Sequence, residues 1–166
     1  IVFRLPCYFR NFGKRLVKSP KIYFTEVGLA AWLLGIETAA QVSRDPLCGG
    51  LFENMVVVEA LKARMNAGEE SDLYYFRDQR GLEVDLLLNR ARRLLPIEIK
   101  SGMTYDASFA KNLTTFCALA PSASSPVVIY GGERKADARG VRFRSFRDTY
   151  KITHWRWCSD NTLKDV

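Results

Sequence analysis

With 166 residues, nearly half of them apolar and a quarter charged, the chain is long enough for one domain with a real core. A net charge of +7 argues for a polyanionic partner, nucleic acid first. One histidine, His154, and four scattered cysteines (Cys7, Cys48, Cys117 and Cys158) exclude a zinc site of the usual clustered spacing. The most apolar window, 22–36, is broken by Thr25 and Glu26 and is shorter than a membrane span, so a soluble, cytoplasmic chain with reduced thiols is expected. It opens on Ile1 without a leader-like run and reads as a piece of a longer protein.

Residues 1–21 carry Arg4, Arg10, Lys14, Arg15, Lys18 and Lys21, with no acid before Glu26 and with Phe3, Tyr8, Phe9 and Phe12 interleaved. Two readings stand: a phosphate-binding strip with stacking aromatics, in which Lys14 and Arg15 contact nucleic acid, or an arm packed on another domain of the parent protein. Thr25 is placed to cap a helix through Leu29, Ala30, Trp32, Leu33 and Leu34 that ends at Gly35, and its apolar content assigns it to the core. A turn-rich loop is expected over 43–50. A helix over 51–66 follows, closed by Gly68, with Phe52, Met55, Val56 and Ala63 facing a sheet. Glu53 and Glu59 on this helix are solvated charges by default, although Glu53, beside the Gly49-Gly50 entry, is placed to reach a site at a sheet edge.

Leu73 to Phe76 reads as a strand and Asp78-Gln79-Arg80-Gly81 as a turn. Two β-rich runs, Leu82 to Leu88 and Leu94 to Ile99, flank a polar connection over 89–93, which predicts a hairpin with Asp85 and Glu98 opposite each other. Strand alternation puts Glu98 and Lys100 on one face and Ile97 and Ile99 toward the core. Opposed like charges need compensation, and a divalent cation supplies it. An Asp with a Glu-x-Lys on one wall suits Mg²⁺- or Mn²⁺-assisted phosphodiester hydrolysis, with the carboxylates on the metal and Lys100 on the attacking water or the developing charge. The plain alternative is a solvated strand face with a Glu–Lys pair. Arg77 and Arg80 stand near the mouth of this wall, to clamp phosphates or to balance Asp78 and Glu83. Pro96, lacking an N–H, argues for a sheet edge or a local irregularity.

Residues 108–119 show helical spacing of Phe109, Leu113, Phe116 and Cys117, and a loop follows over 121–126. Val127 to Tyr130 has the form of a buried, parallel strand ended by Gly131-Gly132. Val141 to Arg144 alternates as an edge strand does, and beyond Tyr150 there is no usable periodicity.

The order α-β-β-β-α-β, with helices on both faces of a mixed sheet, defines an α/β fold. With Glu53 on the first helix, Asp85 on the second strand and Glu98-x-Lys100 on the third, it resembles the PD-(D/E)XK, or restriction-endonuclease-like, core. The segments K-I-Y-F-T-E-V-G-L-A-A-W-L-L-G (21–35), G-L-F-E-N-M-V-V-V-E-A-L (50–61), L-Y-Y-F-R-D-Q-R-G-L-E-V-D-L-L-L (73–88) and P-I-E-I-K-S-G-M-T (96–104) resemble the domain family DUF4143, the C-terminal part of AAA+-type ATPases of bacteria and archaea.

That resemblance implies an ATPase domain upstream, with a winged-helix-like segment between. No G-x-x-x-x-G-K-[ST] occurs in this chain, so ATP chemistry belongs to the upstream part. Glu53, Asp85, Glu98 and Lys100 fall on the nuclease-like positions: Asp85 and Glu98 as metal ligands, Glu53 in support, Lys100 serving the water. The implied organisation is a basic N-terminal segment and helix over 1–44, the DUF4143 nuclease-like domain over 45–150 and a tail over 151–166. Two functions remain open: Mg²⁺-dependent hydrolysis of DNA, or a catalytically inactive module that binds DNA or protein and reports to the ATPase. A homo-oligomerisation surface is a third reading.

Overall fold

The computed structural model describes residues 1–9, 19–90 and 92–154. Strands β1 (Val2–Leu5) and β2 (Lys21–Phe24) form an antiparallel ribbon in which Phe3 pairs with Tyr23. Helices α1 (Val27–Leu33), α2 (Ala39–Val42) and α3 (Cys48–Asn66) follow. The main sheet comprises β3 (Leu73–Arg77), β4 (Glu83–Arg90), β5 (Arg93–Lys100), β6 (Val127–Tyr130), β7 (Ala136–Ala138) and β8 (Val141–Ser145), in the order β3-β4-β5-β6-β8-β7. Pairing is antiparallel from β3 to β5, parallel from β5 through β6 to β8, and antiparallel between β8 and β7. A 3-10 turn (Ala107–Ala110) and α4 (Lys111–Leu119) bridge β5 to β6, and α5 (Thr149–Thr153) follows β8. The expected order α-β-β-β-α-β is present as α3-β3-β4-β5-α4-β6, an α/β arrangement around a mixed sheet.

The two faces of the sheet carry separate cores. Val56, Val57, Ala60 and Leu61 of α3 pack with Leu86, Leu88, Leu95, Ile97 and Ile99, and this core also takes Leu5, Cys7 and Tyr23 of the N-terminal segment. Leu113 and Phe116 of α4 pack on the other face with Phe76, Val84, Leu87, Leu94 and Val128. Burying apolar area on both faces of the central strands, at about 25 cal/mol per Å², is what holds this three-layered arrangement of helix, sheet and helix. All four residues of β6 are buried, as its apolar run predicts.

α3 is longer than expected, beginning at Cys48, so Gly49 and Gly50 lie in its first turn rather than in a loop. Gly68, with φ of +68°, ends it in the left-handed conformation that only glycine adopts without cost. Just beyond, Arg64, only 2% exposed, pairs with Glu69, reaches Asp72 at 3.1 Å and donates Nε to the carbonyls of Glu70 and Ser71. One buried guanidinium thus organises the turn that leads into β3.

Several expectations are corrected. Thr25 does not cap α1: its hydroxyl donates to the carbonyl of Ile1, and Glu26 stands at the N-cap without a side-chain bond. Nor is α1 a core helix. Ala30 is its one buried residue, while Trp32 and Leu33 are 69% and 58% exposed. The hairpin connection is shorter than 89–93, because Asn89↔Leu94 and Arg90↔Arg93 still pair.

Pro96 lies in a central strand rather than at an edge. Leu94 donates its N–H to Ser122 on the β6 side, and Pro96 shares that orientation by alternation. It falls between the Leu94↔Ala123 bridge and the first β6 pair, Ile97↔Val127, where an irregularity removes the need for its N–H. β8 is an interior strand, and the edge position belongs to β7, because the 133–140 loop folds back to pair with it.

Candidate functional site

Four carboxylates and two ammonium groups converge at the open end of the β4–β5 hairpin, where β4 begins and β5 ends. β3 and β4 pair as Tyr74↔Leu87 and Phe76↔Val84, so β4 has one extra residue within 84–87, the stretch that contains Asp85. Such bulges re-aim a side chain and locally break the ladder. Val84 and Leu87 pack on the α4 side of the sheet and Leu86 on the α3 side. The β4–β5 main-chain pairing stops at Leu86↔Ile97, and beyond it Asp85 Oδ2 accepts the backbone N–H of Ile99 at 2.8 Å. The carboxylate substitutes for a strand partner, which fixes its position next to Glu98.

Glu98 and Lys100 share a face as alternation requires, with Lys100 Nζ donating to Glu98 Oε1 at 2.7 Å. Glu98 is 3% exposed, and its second oxygen, Oε2, is buried without a hydrogen-bond partner among the described residues. A buried carboxylate oxygen left unpaired is costly, and a hard cation satisfies it.

Glu53, in the second turn of α3, is held from the N-terminal ribbon. Lys21 and Tyr23 point the same way from β2: Tyr23 donates its hydroxyl to Glu53 Oε1, and Lys21 Nζ lies 2.9 Å from that same oxygen. Lys21 Nζ also lies 2.6 Å from Glu83 Oε1 and 3.9 Å from Asp85 Oδ1. The ribbon itself is clamped to α3 by Asn54, whose side chain accepts the N–H of Phe24 at 2.8 Å and donates to its carbonyl at 2.7 Å. Farther along, Tyr75 donates its N–H to Pro6 and accepts that of Tyr8, so the first segment also covers the free edge of β3.

The electrostatics follow from burial and from crowding of like charges. Burial pushes the Asp85 carboxyl up, and the Glu53 charge adds to it against the Ile99 N–H and the two lysines. Burial likewise raises Glu98, then the charge of Asp85, opposed by Lys100. For Lys21 burial works against the ammonium, but Glu53, Glu83 and Asp85 prevail and push its pKa up to about 12. Tyr23 is raised by burial and by Glu53.

The structure therefore brings Glu53, Asp85, Glu98 and Lys100 together. Arg77 is half-exposed, with Nε 3.5 Å from Glu83 Oε2, so it is tied to the site through an acid. Arg80 is exposed in the Asp78 turn, and its N–H donates to Asp78 Oδ1. Lys14 and Arg15 lie outside the described residues. Glu59 is the solvated helix charge expected by default, 3.4 Å from Lys62.

Sequence reasoning missed Lys21, Tyr23 and Glu83 as members of the site. The alternation in Lys21-Ile22-Tyr23-Phe24 marks a strand with two polar groups on one face, but nothing local says what that face meets. Among the described residues, no three His, Cys, Asp or Glu side chains stand in an arrangement that could hold a metal ion. The donor set is nevertheless all oxygen, the kind that Mg²⁺ and Mn²⁺ take.

The chain is similar to two uncharacterized mycobacterial proteins, one of Mycobacterium bovis and one of Mycobacterium tuberculosis. Each is 38% identical over 108 residues, 65% of this chain and 24% of the relative. The chain thus spans about a quarter of the length of those relatives. Residues 1–40, which carry Lys21 and Tyr23, match a second family, described as Domain of unknown function (DUF8612). Residues 48–155, from the first residue of α3 to just past α5 and so including Glu53, Glu83, Asp85, Glu98 and Lys100, match Domain of unknown function (DUF4143), and the chain belongs to that family.

Proposed function

We propose that this chain is the nuclease-like part of a larger ATPase and hydrolyses phosphodiester bonds of DNA with a bound Mg²⁺ or Mn²⁺. The observation that carries the reading is Glu98: a carboxylate only 3% exposed, with one oxygen unpartnered, beside the fixed carboxylate of Asp85. Asp85 and Glu98 would hold the cation, with Glu53 in support from α3. When bound, a divalent cation would supply an activated water and neutralise charge on the phosphate. Lys100 would orient that water through its ammonium, which Glu98 positions, and would offset the charge that develops on the phosphate. Backbone phosphates would approach over Arg77 and Arg80, both at the exposed end of the β3–β4 turn.

The test is cleavage of plasmid and linear DNA, and of RNA as comparison, with Mg²⁺ or Mn²⁺, by the wild type and by Asp85→Asn and Lys100→Met. Metal-dependent cutting that both substitutions abolish supports the reading, and cutting that survives Asp85→Asn overturns it.

A second reading is favoured by Lys21, whose ammonium already sits among Glu53, Glu83 and Asp85. In that reading the site is a structural ion-pair cluster, and the chain is an inactive module that binds DNA or protein. Salt-dependent DNA affinity that survives both substitutions, without cleavage, selects it. In either case we place the contact with the rest of a longer polypeptide, the ATPase domain included, or with a second copy, on α1, where Trp32 and Leu33 are exposed.

A further inference from the structure

The metal-ion reading leaves Lys21 and Glu83 of the carboxylate cluster unused. The Lys21 ammonium lies 2.9 Å from Glu53 and 2.6 Å from Glu83, with Asp85 at 3.9 Å. Three acids from two different elements, helix α3 and strand β4, thus meet on one positive charge delivered by a third, β2. Like-charged carboxylates this close repel one another unless a cation lies between them. Lys21 supplies that cation.

The backbone that delivers it is fixed. Asn54 bonds both main-chain groups of Phe24, and Tyr23 is buried in the α3-side core. The long side chain of Lys21 is not fixed in the same way. It is partly exposed, and the Tyr75 ring lies beside it, with Nζ 5.5 Å from the ring centroid, which offers the ammonium a second seat by cation–π attraction.

We propose that Lys21 is a place-holding cation: its ammonium keeps Glu53, Glu83 and Asp85 together without metal, and a divalent cation binds only by displacing it. The proposal rests on the cation-binding reading of the site and adds to it the residue that sets the threshold for that binding. It makes Lys21 a positioning residue, and it gives Glu83 a role as the acid that receives the ammonium. It also makes the N-terminal ribbon, which matches a different family from the rest of the chain, a determinant of the cation affinity of the sheet to which it is docked.

The test is calorimetric titration of Mn²⁺ into the 166-residue wild type and its Lys21→Met, Lys21→Arg and Arg77→Met variants, at one pH and ionic strength. Removing a unit charge within about 4 Å of the ligands is expected to tighten Mn²⁺ binding by about tenfold or more in Lys21→Met. Lys21→Arg keeps the charge and is expected to bind no tighter than the wild type. Arg77→Met removes a charge from the rim, and its expected gain is below about threefold because solvent screens an exposed group.

Mn²⁺ binding that is unchanged in Lys21→Met, or a gain as large in Arg77→Met, overturns the proposal while leaving the cation-binding reading intact. Binding by none of the proteins overturns both. A second measurement does not depend on any variant: amine acylation of the wild type, read by mass spectrometry. Reactivity at Lys21 is expected to rise on saturation with Mg²⁺, and reactivity that does not change despite bound cation overturns the displacement.

Discussion

Asp85 Oδ2 accepts the backbone N–H of Ile99 at 2.8 Å, one step past the point where main-chain pairing between β4 and β5 ends. A candidate metal ligand is therefore also a structural acceptor. The two roles separate by substitution. Asp85→Ala leaves the buried N–H of Ile99 unpaired and is expected to cost about 1–3 kcal/mol in urea denaturation. Asp85→Asn retains an acceptor and removes a crowded charge. It is expected to match or exceed the wild type in stability at neutral pH while losing Mn²⁺ binding.

The pH dependence of stability follows from the same crowding. The carboxyls of Asp85 and Glu98 are both raised above their ordinary values, by burial first and then by a neighbouring carboxylate. The folded state therefore holds protons that the unfolded chain releases near about pH 4, and stability falls as pH rises from there through the raised folded values. Lys21, raised to about 12, has the same sign in a different pH window: its stabilisation is complete below about 10.4 and is lost above that, so it is constant across the acidic window. A divalent cation relieves the carboxylate repulsion only where the acids are ionised. The gain in melting temperature on adding Mg²⁺ is expected to be negligible near about pH 5 and to grow toward about pH 8, as scanning calorimetry will show. Glu98→Gln is expected to raise the melting temperature without metal at the higher pH and to remove the Mg²⁺ response.

The ribbon is held to α3 by side-chain bonds of unequal weight. Asn54→Ala removes two bonds to the Phe24 main chain and leaves its N–H and carbonyl without those partners, for an expected loss of about 2 kcal/mol. Tyr23→Phe removes only the hydroxyl bond to Glu53 and is expected to cost about 1 kcal/mol. Chemical denaturation of the two variants compares them, and the Asn54 change is expected to be the larger.

Arg64 is a further dependence, outside the site. Arg64→Met keeps the apolar stem but leaves Asp72 and two carbonyls without their donor and Glu69 with Arg90 alone, for an expected loss of about 1–3 kcal/mol. Lys62→Ala, two residues before Arg64 on α3 and exposed, is expected to change stability by less than about 0.5 kcal/mol. Equal losses in the two variants, measured in guanidinium, would refute this account of the turn.

By itself the sequence determined the element types and their order. Strand alternation in Ile97-Glu98-Ile99-Lys100, the glycine after α3 and the apolar run of β6 are properties of a few adjacent residues, and local sterics and periodicity decide them. The same alternation placed Glu98 and Lys100 on one face, and symmetry about the hairpin brought Asp85 to Glu98. What lay beyond local reach was decided by tertiary structure. The bulge in β4 depends on how β3 pairs with it, and the exposure of α1 depends on what the sheet leaves uncovered. The interior place of β8 depends on a loop folding back to supply the edge. Lys21 is 32 residues from Glu53 in the chain, and no periodicity connects them. A basic residue in a basic segment becomes the counter-ion of a buried acidic cluster only because the ribbon packs against α3, which sequence spacing does not encode.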